Sequence, residues 1–148
     1  MSKFFQALLS GVFFTFILDF FLFLGIKLGY TDFYEIGVYY NVLFADHQSW
    51  WLFLLSSLFI GYITLYAQTK TTLYIVGFLF IATLATLIPS VGKTVGESLL
   101  SQKDVVVQTN RFSYHGDIIY SGREKVTLYD TELQKIIVLD KTKIKGKI

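Results

Sequence analysis

Residues 4–28 form a long, mainly apolar run, and Asp19 is the only acidic side chain in it. About 20 apolar residues are enough for a helix to cross roughly 30 Å of hydrocarbon. A carboxylate inside such a helix costs a few kcal/mol or more unless it faces protein or water. The run therefore predicts an integral membrane protein, with Asp19 near the middle of its first span.

Composition supports the same class of protein. Of the 148 residues, 53% are hydrophobic and only 16% are charged, and the mean hydropathy is +0.54. Soluble domains are usually less apolar and more charged. The net charge of +2 gives no indication of a nucleic-acid partner, and the lack of cysteine excludes thiol catalysis, disulfides and thiolate metal sites within these residues.

The pattern along residues 1–103 predicts a three-span transmembrane domain. The spans are expected at residues 4–28, 50–67 and 73–91, with an aromatic and acidic interfacial segment at about 30–49. The first span follows Lys3 and is too long for a signal-peptide core, so we interpret it as a retained anchor. Pro89 should kink or loosen the third helix, after which residues 92–102 can continue as a polar helix.

Residues 104–148 change character and predict a small extramembrane module of antiparallel β-strands. Strands are expected at 105–108, 117–120, 125–130 and 135–140, with turns at 115–116, 121–122 and 131–132. Residues 136–139 are apolar on both faces, which predicts a central strand. About 45 residues make a weak core without a disulfide, so we expect the module to lean on the spans, on another copy or on a partner, with a self-sufficient meander as the alternative.

Asp19 has three candidate roles. Its nearest helper within the helix is the Thr15 hydroxyl one turn earlier, and no Lys or Arg lies at comparable depth. It could bind a proton or cation, contact a partner helix, or pack internally against hydroxyls. The candidate internal hydroxyls are those of Ser56, Ser57, Thr64, Thr83 and Thr86.

Small residues at four-residue spacing predict close helix contacts. The expected packing positions are Gly25, Gly29, Ser57, Gly61, Gly92 and Gly96. Trp50, Trp51 and Lys93 are expected to anchor the chain at the membrane interface. Gly92-Lys93-Thr94 is not a phosphate-binding loop, because Leu87 occupies the position of the first glycine of that motif and no strand precedes it.

Other polar residues indicate no catalytic or metal site. Asp46, His47 and His115 are expected to be surface side chains, and the spacing predicts no metal ligands and no cofactor. The C-terminal lysines are expected to form a solvated tail or strand, with binding to anionic lipid or to nucleic acid as the alternative. These lysines are Lys141, Lys143, Lys145 and Lys147.

The sequence therefore predicts a non-enzymatic accessory, assembly or scaffold protein of a larger bacterial inner-membrane complex, such as secretion, motility or respiratory machinery. Its expected partners are the lipid bilayer and other integral membrane proteins or further copies of itself. An N-terminus inside the cell would place the β module on the periplasmic side. The alternative is a proton- or cation-coupled transport component that uses Asp19, and a lipid-modifying enzyme using Asp46, His47 and Lys93 is a more distant third.

Overall fold

The computed structural model describes residues 2–109 and 112–145, which form five α-helices and a four-stranded antiparallel sheet. The helices are α1 (Lys3–Ile26), α2 (Tyr40–His47), α3 (Trp50–Tyr66), α4 (Thr69–Ala85) and α5 (Pro89–Leu100). The strands are β1 (Gln102–Gln108), β2 (Ser113–Ser121), β3 (Lys125–Asp130) and β4 (Lys135–Asp140). The predicted combination of helices with a small antiparallel sheet is therefore present.

Helices α1 and α3 run antiparallel in close contact. Gly11 lies against the backbone of Ser57, and Gly61 lies against the backbone of Ala7. A Cβ atom at Gly11 would stand 1.8 Å from the Ser57 carbonyl oxygen, and one at Gly61 would stand 2.1 Å from that of Ala7. Glycine at both positions is what allows the two backbones to approach this closely.

Helix α4 runs parallel to α1 and completes a three-helix bundle. The Phe14 and Phe80 rings meet edge to face with centroids 6.4 Å apart, and the Thr86 hydroxyl donates to the Phe21 carbonyl at 3.3 Å. None of the residues of α4 is buried. The second-from-last turn of α1 and the end of α4 are thus joined, while most of α4 faces outward.

Two sharp bends close the bundle at one end. Helices α2 and α3 meet at 87°, and α4 and α5 meet at 94°. Pro89 is the first residue of α5, where its missing N–H and fixed φ suit a helix start. The expected kinked span over residues 73–91 is therefore wrong in its bounds, because α4 ends at Ala85 and the chain turns before the proline.

Helix length and composition define how many segments could cross a membrane. Among the described residues, one helical segment, Lys3–Thr31, is long and apolar enough by itself; it comprises α1 and a π-helical turn. The number rises to three if each bent pair, α2 with α3 and α4 with α5, is counted as one span.

The C-terminal end of the first helical segment lies at the centre of a small apolar core that covers the bent end of the bundle. We call this part of the fold the cap. Ile26 and Tyr30 are almost fully buried and pack with Leu43 of α2, Leu100 of α5 and Ile119 of β2. Protein rather than lipid therefore covers much of the apolar surface that follows Asp19. The β module rests on this cap through Ile119 and Tyr120 of β2.

The sheet is a simple meander in the order β1-β2-β3-β4. Strands β3 and β4 have the predicted bounds, whereas β1 and β2 are longer than predicted. The expected turn at 115–116 is wrong: His115 pairs with Val106, and Gly116 pairs with both Val105 and Asp130 inside β2. A Cβ at Gly116 would lie 1.9 Å from the Tyr129 carbonyl oxygen, so the glycine permits close strand contact instead of a turn.

The sheet curls around its own small core, formed by Val107, Ile118, Val126 and Leu128. The C-terminal segment closes this core, because Thr109 forms a β-bridge with Ile144 and the Lys145 N–H donates to the Gln108 carbonyl at 2.7 Å. The prediction that β4 is a central strand is wrong, since it pairs only with β3 among the described residues and lies at the sheet edge.

Candidate functional site

Asp19 is hydrogen bonded within its own chain. The side-chain amide of Gln48, between α2 and α3, donates to Asp19 Oδ2 over 2.8 Å. Next to it, the Tyr40 hydroxyl donates to the Phe20 carbonyl at 3.4 Å. The carboxylate thus has a neutral amide donor as its partner, in place of the basic residue or hydroxyl expected from the sequence.

Thr15 does not serve Asp19 as a hydrogen-bond donor in this structure. Its hydroxyl is buried and has no partner among the described residues, and the same is true of the Ser57 hydroxyl on α3. Among the described residues, one buried hydroxyl on α1 and one on α3 are therefore unpaired, whereas Asp19 accepts its hydrogen bond from Gln48. Of the other candidate hydroxyls, Thr64, Thr83 and Thr86 donate to backbone carbonyls.

Asp19 lies at the end of the bundle and not at its middle. Gly11 is opposite Ser57 and Ala7 is opposite Gly61, so the antiparallel register brings Asp19 to the residues just before α3, where Gln48 is found. The 17 residues of α3 span about 25 Å at 1.5 Å per residue. The position expected from counting along the apolar run is shifted because the residues after Asp19 belong to the cap.

The small residues predicted for helix packing are used inside the chain. Gly25 lies against Thr86, Gly29 against Gly92, and Gly96 against the Tyr30 ring, with a Cβ at each position coming within 2.1–2.9 Å of these neighbours. The first contact joins α1 to the residue that follows α4, and the other two join the π-helical turn after α1 to α5. Ser57 and Gly61 meet α1, as described above, so none of the six predicted positions is left on an open helix face.

The predicted interfacial anchors lie around the bent end of the bundle. Trp50 and Trp51 at the start of α3 are 66% and 77% exposed, as expected of side chains that meet solvent or lipid. The Lys93 ammonium lies 3.8 Å from the centroid of the Phe33 ring and 5.5 Å from that of Tyr34. This cation–π contact ties α5 to the connector after α1.

One buried hydrogen bond and one ion pair hold the β module on the cap. The Tyr30 hydroxyl donates to the Ile119 carbonyl of β2 at 2.9 Å in a buried setting. At the exposed edge, Arg123 beside the β2–β3 turn donates hydrogen bonds from Nε and Nη2 to the carboxylate of Asp46 on α2, at 2.6–3.0 Å. The first contact lies within the buried apolar core, and the second lies at the exposed edge of the interface between module and cap.

The ion pair also shifts the ionisation of its members. Hydrogen bonds from Arg123 hold the pKa of the Asp46 carboxyl below its ordinary 3.8, and the same contact raises the pKa of the guanidinium. Burial, with the Asp46 charge nearby, raises the pKa of the Tyr120 hydroxyl above 10.0. The Tyr120 hydroxyl is buried without a hydrogen-bond partner among the described residues. The centroid of the Tyr120 ring lies 5.6 Å from that of the His47 ring.

The histidines and the acidic residues remain dispersed. His47 contacts the Leu43 carbonyl through Nδ1 at 3.2 Å, and His115 lies 3.2 Å from an Asp104 oxygen at the far side of the sheet. The part of the chain that the structure describes contains no group of three His, Cys, Asp or Glu side chains placed to hold a metal ion. Of the C-terminal lysines, Lys143 pairs with Asp140 at 3.2 Å, and Lys147 lies outside the described residues.

Sequence reasoning missed several residues that position these contacts. Gln48 and Arg123 act through partners 29 and 77 positions away, which no local pattern reveals. Gly11 did carry a signal, since Ala7, Gly11 and Thr15 are small residues at four-residue spacing on one face of α1.

Comparison of the chain with models of protein families, with curated proteins and with solved structures finds no match in any of the three. The function must therefore be argued from the contacts and surfaces of this chain.

Proposed function

We propose that the chain is an integral membrane protein whose α1, α3 and α4 cross a bacterial inner membrane, and that it acts as a non-enzymatic accessory or assembly subunit of a larger membrane complex. The bundle provides the anchor, and the cap holds the β module at the membrane surface. An N-terminus inside the cell places the module on the periplasmic side.

The outer surface of the bundle supports membrane insertion. Large apolar side chains are exposed along all three helices, a distribution that is unfavourable in water and favourable in lipid. They include Phe4, Leu9, Phe13 and Phe16 on α1, Leu52, Leu55 and Phe59 on α3, and Leu73, Phe78 and Ile81 on α4. The bent end, with Trp50 and Trp51, is then at the interface, and α2 and α5 lie along the membrane surface.

The observation that carries the assembly role is the open face of α4. No residue of this helix is buried, and a Cβ at Gly77 would meet nothing within 4 Å. The other glycines of the helices all lie against backbone or side chains of this chain. Small residues allow helices to pack closely in lipid, so a partner helix can approach α4 at Gly77 without displacing any part of the fold.

Ion transport through Asp19 receives less support. A pathway across the membrane requires polar groups along the bundle, whereas Asp19 is bonded to Gln48 at one end of it. The carboxylate fits a role in holding the α2–α3 bend against α1.

Site-specific photo-crosslinking in native membranes tests the assembly role. A photoreactive residue at Phe78 on α4 should capture a membrane protein, which mass spectrometry then identifies. The matched position is Phe13 on the outward face of α1, where we expect mainly lipid adducts.

A steric variant sharpens this test. Gly77→Leu should reduce the capture at Phe78 while leaving the fold intact, because the position is open. Equal protein capture at Phe78 and Phe13, or lipid adducts alone at both, would contradict the assembly role. Release of the protein by alkaline carbonate would contradict membrane insertion itself.

A further inference from the structure

Strand β4 lies at the edge of the sheet, but it has the composition of a central strand. Its apolar side chains lie on both faces, and Ile136 and Val138 remain 46% and 58% exposed. These two side chains border a groove of about 680 Å³ between the sheet and the connector after α1, whose apolar lining includes Ile36 and Val38. The groove continues the buried interface between module and cap. An apolar, unprotected edge is unusual, because it promotes pairing with another strand.

The backbone of β4 is also available for pairing. Just after β4, the Lys141 N–H donates to the Glu124 carbonyl at 2.8 Å. Bonded and non-bonded pairs alternate in an antiparallel ladder, so Leu139 and Ile137 bond to β3 while Val138 and Ile136 direct their N–H and C=O groups outward. In the described residues, no backbone hydrogen bond joins β4 to a segment other than β3.

The strand is complementary to a second copy of itself. Antiparallel pairing centred on Ile137 places Ile136 opposite Val138 of the second copy. Each residue of this pair can then donate its backbone N–H to the other and accept a hydrogen bond through its C=O group. Pairing centred on Val138 would instead place Lys135 opposite Lys141 and create a like-charge contact. The register centred on Ile137 is therefore preferred. It brings apolar side chains of the two copies together and provides hydrogen-bond partners for the outward backbone groups.

The geometry of the cap is compatible with such a pair in one membrane. Helices α2 and α5 are close to perpendicular to the bundle, and the sheet rests on them through Ile119 and Tyr120. A two-fold axis relating antiparallel edge strands is normal to the sheet, and thus runs roughly along the bundle. Both bundles then enter the same bilayer in the same direction, an argument that rests on the membrane placement proposed above.

We propose that two copies of this chain associate through β4 to form a continuous eight-stranded antiparallel sheet at the membrane surface. The self-complementary register favours a second copy over an unrelated strand, since every residue of the preferred contact is present on β4 itself. The dimer leaves α4 free on each copy, so it is compatible with the partner contact proposed for that helix.

Cysteine crosslinking of the full chain tests the pairing, because the natural sequence has no cysteine. In liposomes of phosphatidylethanolamine and phosphatidylglycerol, Ile137→Cys should form an intermolecular disulfide on mild oxidation, since residues opposite each other in the non-bonded pair fall within the roughly 4.4–6.8 Å Cα range of disulfides. Val106→Cys, exposed on β1 at the other edge, is the matched control and should stay monomeric.

Two further variants define the register. A mixture of Ile136→Cys and Val138→Cys proteins should give a mixed disulfide in higher yield than either protein alone. Adding Val138→Lys to Ile137→Cys should raise the dimer dissociation constant at least about tenfold, equivalent to about 1.4 kcal/mol. If Ile137→Cys does not fold, the mixture of Ile136→Cys and Val138→Cys proteins still tests the pairing, because Ile136 and Val138 are both exposed.

The proposal is overturned if the folded proteins form no disulfide at these positions, if Val106→Cys reacts equally, or if Val138→Lys has no effect. A monomer that remains carbonate-resistant and still captures a protein at Phe78 contradicts only the β4 dimer. A β4 disulfide without capture at Phe78 contradicts only the assembly role. Capture of a different protein by a photoreactive residue at Val138, without a dimer, would also overturn the second copy as the occupant.

Discussion

The Arg123 guanidinium grips the Asp46 carboxylate with three hydrogen bonds, the shortest of which is 2.6 Å, and so joins the β2–β3 turn to α2. The two residues are 77 positions apart in the chain. Both side chains are at least partly exposed, so the contact is weakened by solvent and salt. Its geometric value is greater, because a two-pronged contact fixes the direction of the module on the cap.

Removal of this contact should loosen the module without unfolding the bundle. We expect Arg123→Ala to increase hydrogen exchange of the β2 amides near Tyr120, measured by mass spectrometry in detergent, with α1 and α3 unchanged. Arg123→Lys should be intermediate, since an ammonium cannot make the two-pronged contact. Lys125→Ala is the control for charge. Equal exchange in Arg123→Ala and the natural protein would show that the contact does not hold the module.

The same pair predicts a dependence on pH. Arg123 lowers the folded-state pKa of Asp46 below 3.8, so its stabilising effect is fully present above about that pH and is lost as the pH falls through the lower folded-state value. Protection of β2 in the natural protein should therefore fall more steeply below pH 4 than in Arg123→Ala. Parallel pH profiles for the two proteins would contradict this assignment.

The Tyr30 hydroxyl predicts a larger and less salt-sensitive effect. It is the buried donor to the Ile119 carbonyl at 2.9 Å, and its removal takes this hydrogen bond away from a buried acceptor. Tyr30→Phe should cost about 1–3 kcal/mol of stability, measured by chemical unfolding of the full protein in detergent. Tyr34→Phe is the control, since the neighbouring Tyr34 ring packs against Tyr30 without this bond. Similar losses in both variants would argue against the hydrogen bond as the cause.

The sequence predicts most elements of this fold, because local patterns specify them. Helix α3 occupies almost the expected residues 50–67, and β3 and β4 have the expected bounds. Because glycine is common in turns, the sequence predicts a turn at Gly116, whereas in the structure this residue permits close contact with the Tyr129 backbone. Only the pairing of distant strands distinguishes these two uses of the residue.

The sequence cannot distinguish apolar surface covered by lipid from apolar surface covered by protein. Ile26 and Phe23 continue the hydrophobic run of α1, yet both pack in the cap. For the same reason Asp19 could be recognised as unusual, but its level in the bundle and its partner Gln48 depend on where the other helices bend. The composition of β4 likewise predicts a covered strand without revealing that β3 is its only neighbour within residues 2–109 and 112–145.

The glycines of the helices predict opposite responses to the same substitution. Gly11→Ala places a Cβ 1.8 Å from the Ser57 carbonyl oxygen, so α1 and α3 must separate, at a cost of about 1–3 kcal/mol or more. Gly77→Ala meets open space and should be neutral or stabilising by up to about 1 kcal/mol from helix propensity. Circular dichroism during unfolding in detergent measures both. A larger loss at Gly77 than at Gly11 would contradict the observed helix packing.

Substitutions of Asp19 and Gln48 separate a structural role from ion transport. Asp19→Asn keeps an oxygen that can accept the hydrogen bond from the Gln48 amide, so we expect near-natural stability in detergent. Gln48→Leu removes the donor and leaves the carboxylate unpaired, which should cost about 1–3 kcal/mol. Adding Asp19→Leu to Gln48→Leu should recover part of that loss, because both partners are then apolar.

Flux measurements complete the comparison, because a transport role requires an ionisable group at this position. Proton flux into liposomes containing the natural protein should not exceed the flux through empty liposomes, and Asp19→Asn should not change it. Flux that is present in the natural protein and lost in the stable Asp19→Asn variant would instead support the transport alternative. The stability readout is needed in the same preparation, since a loss of flux in a misfolded variant would say nothing about proton binding at Asp19.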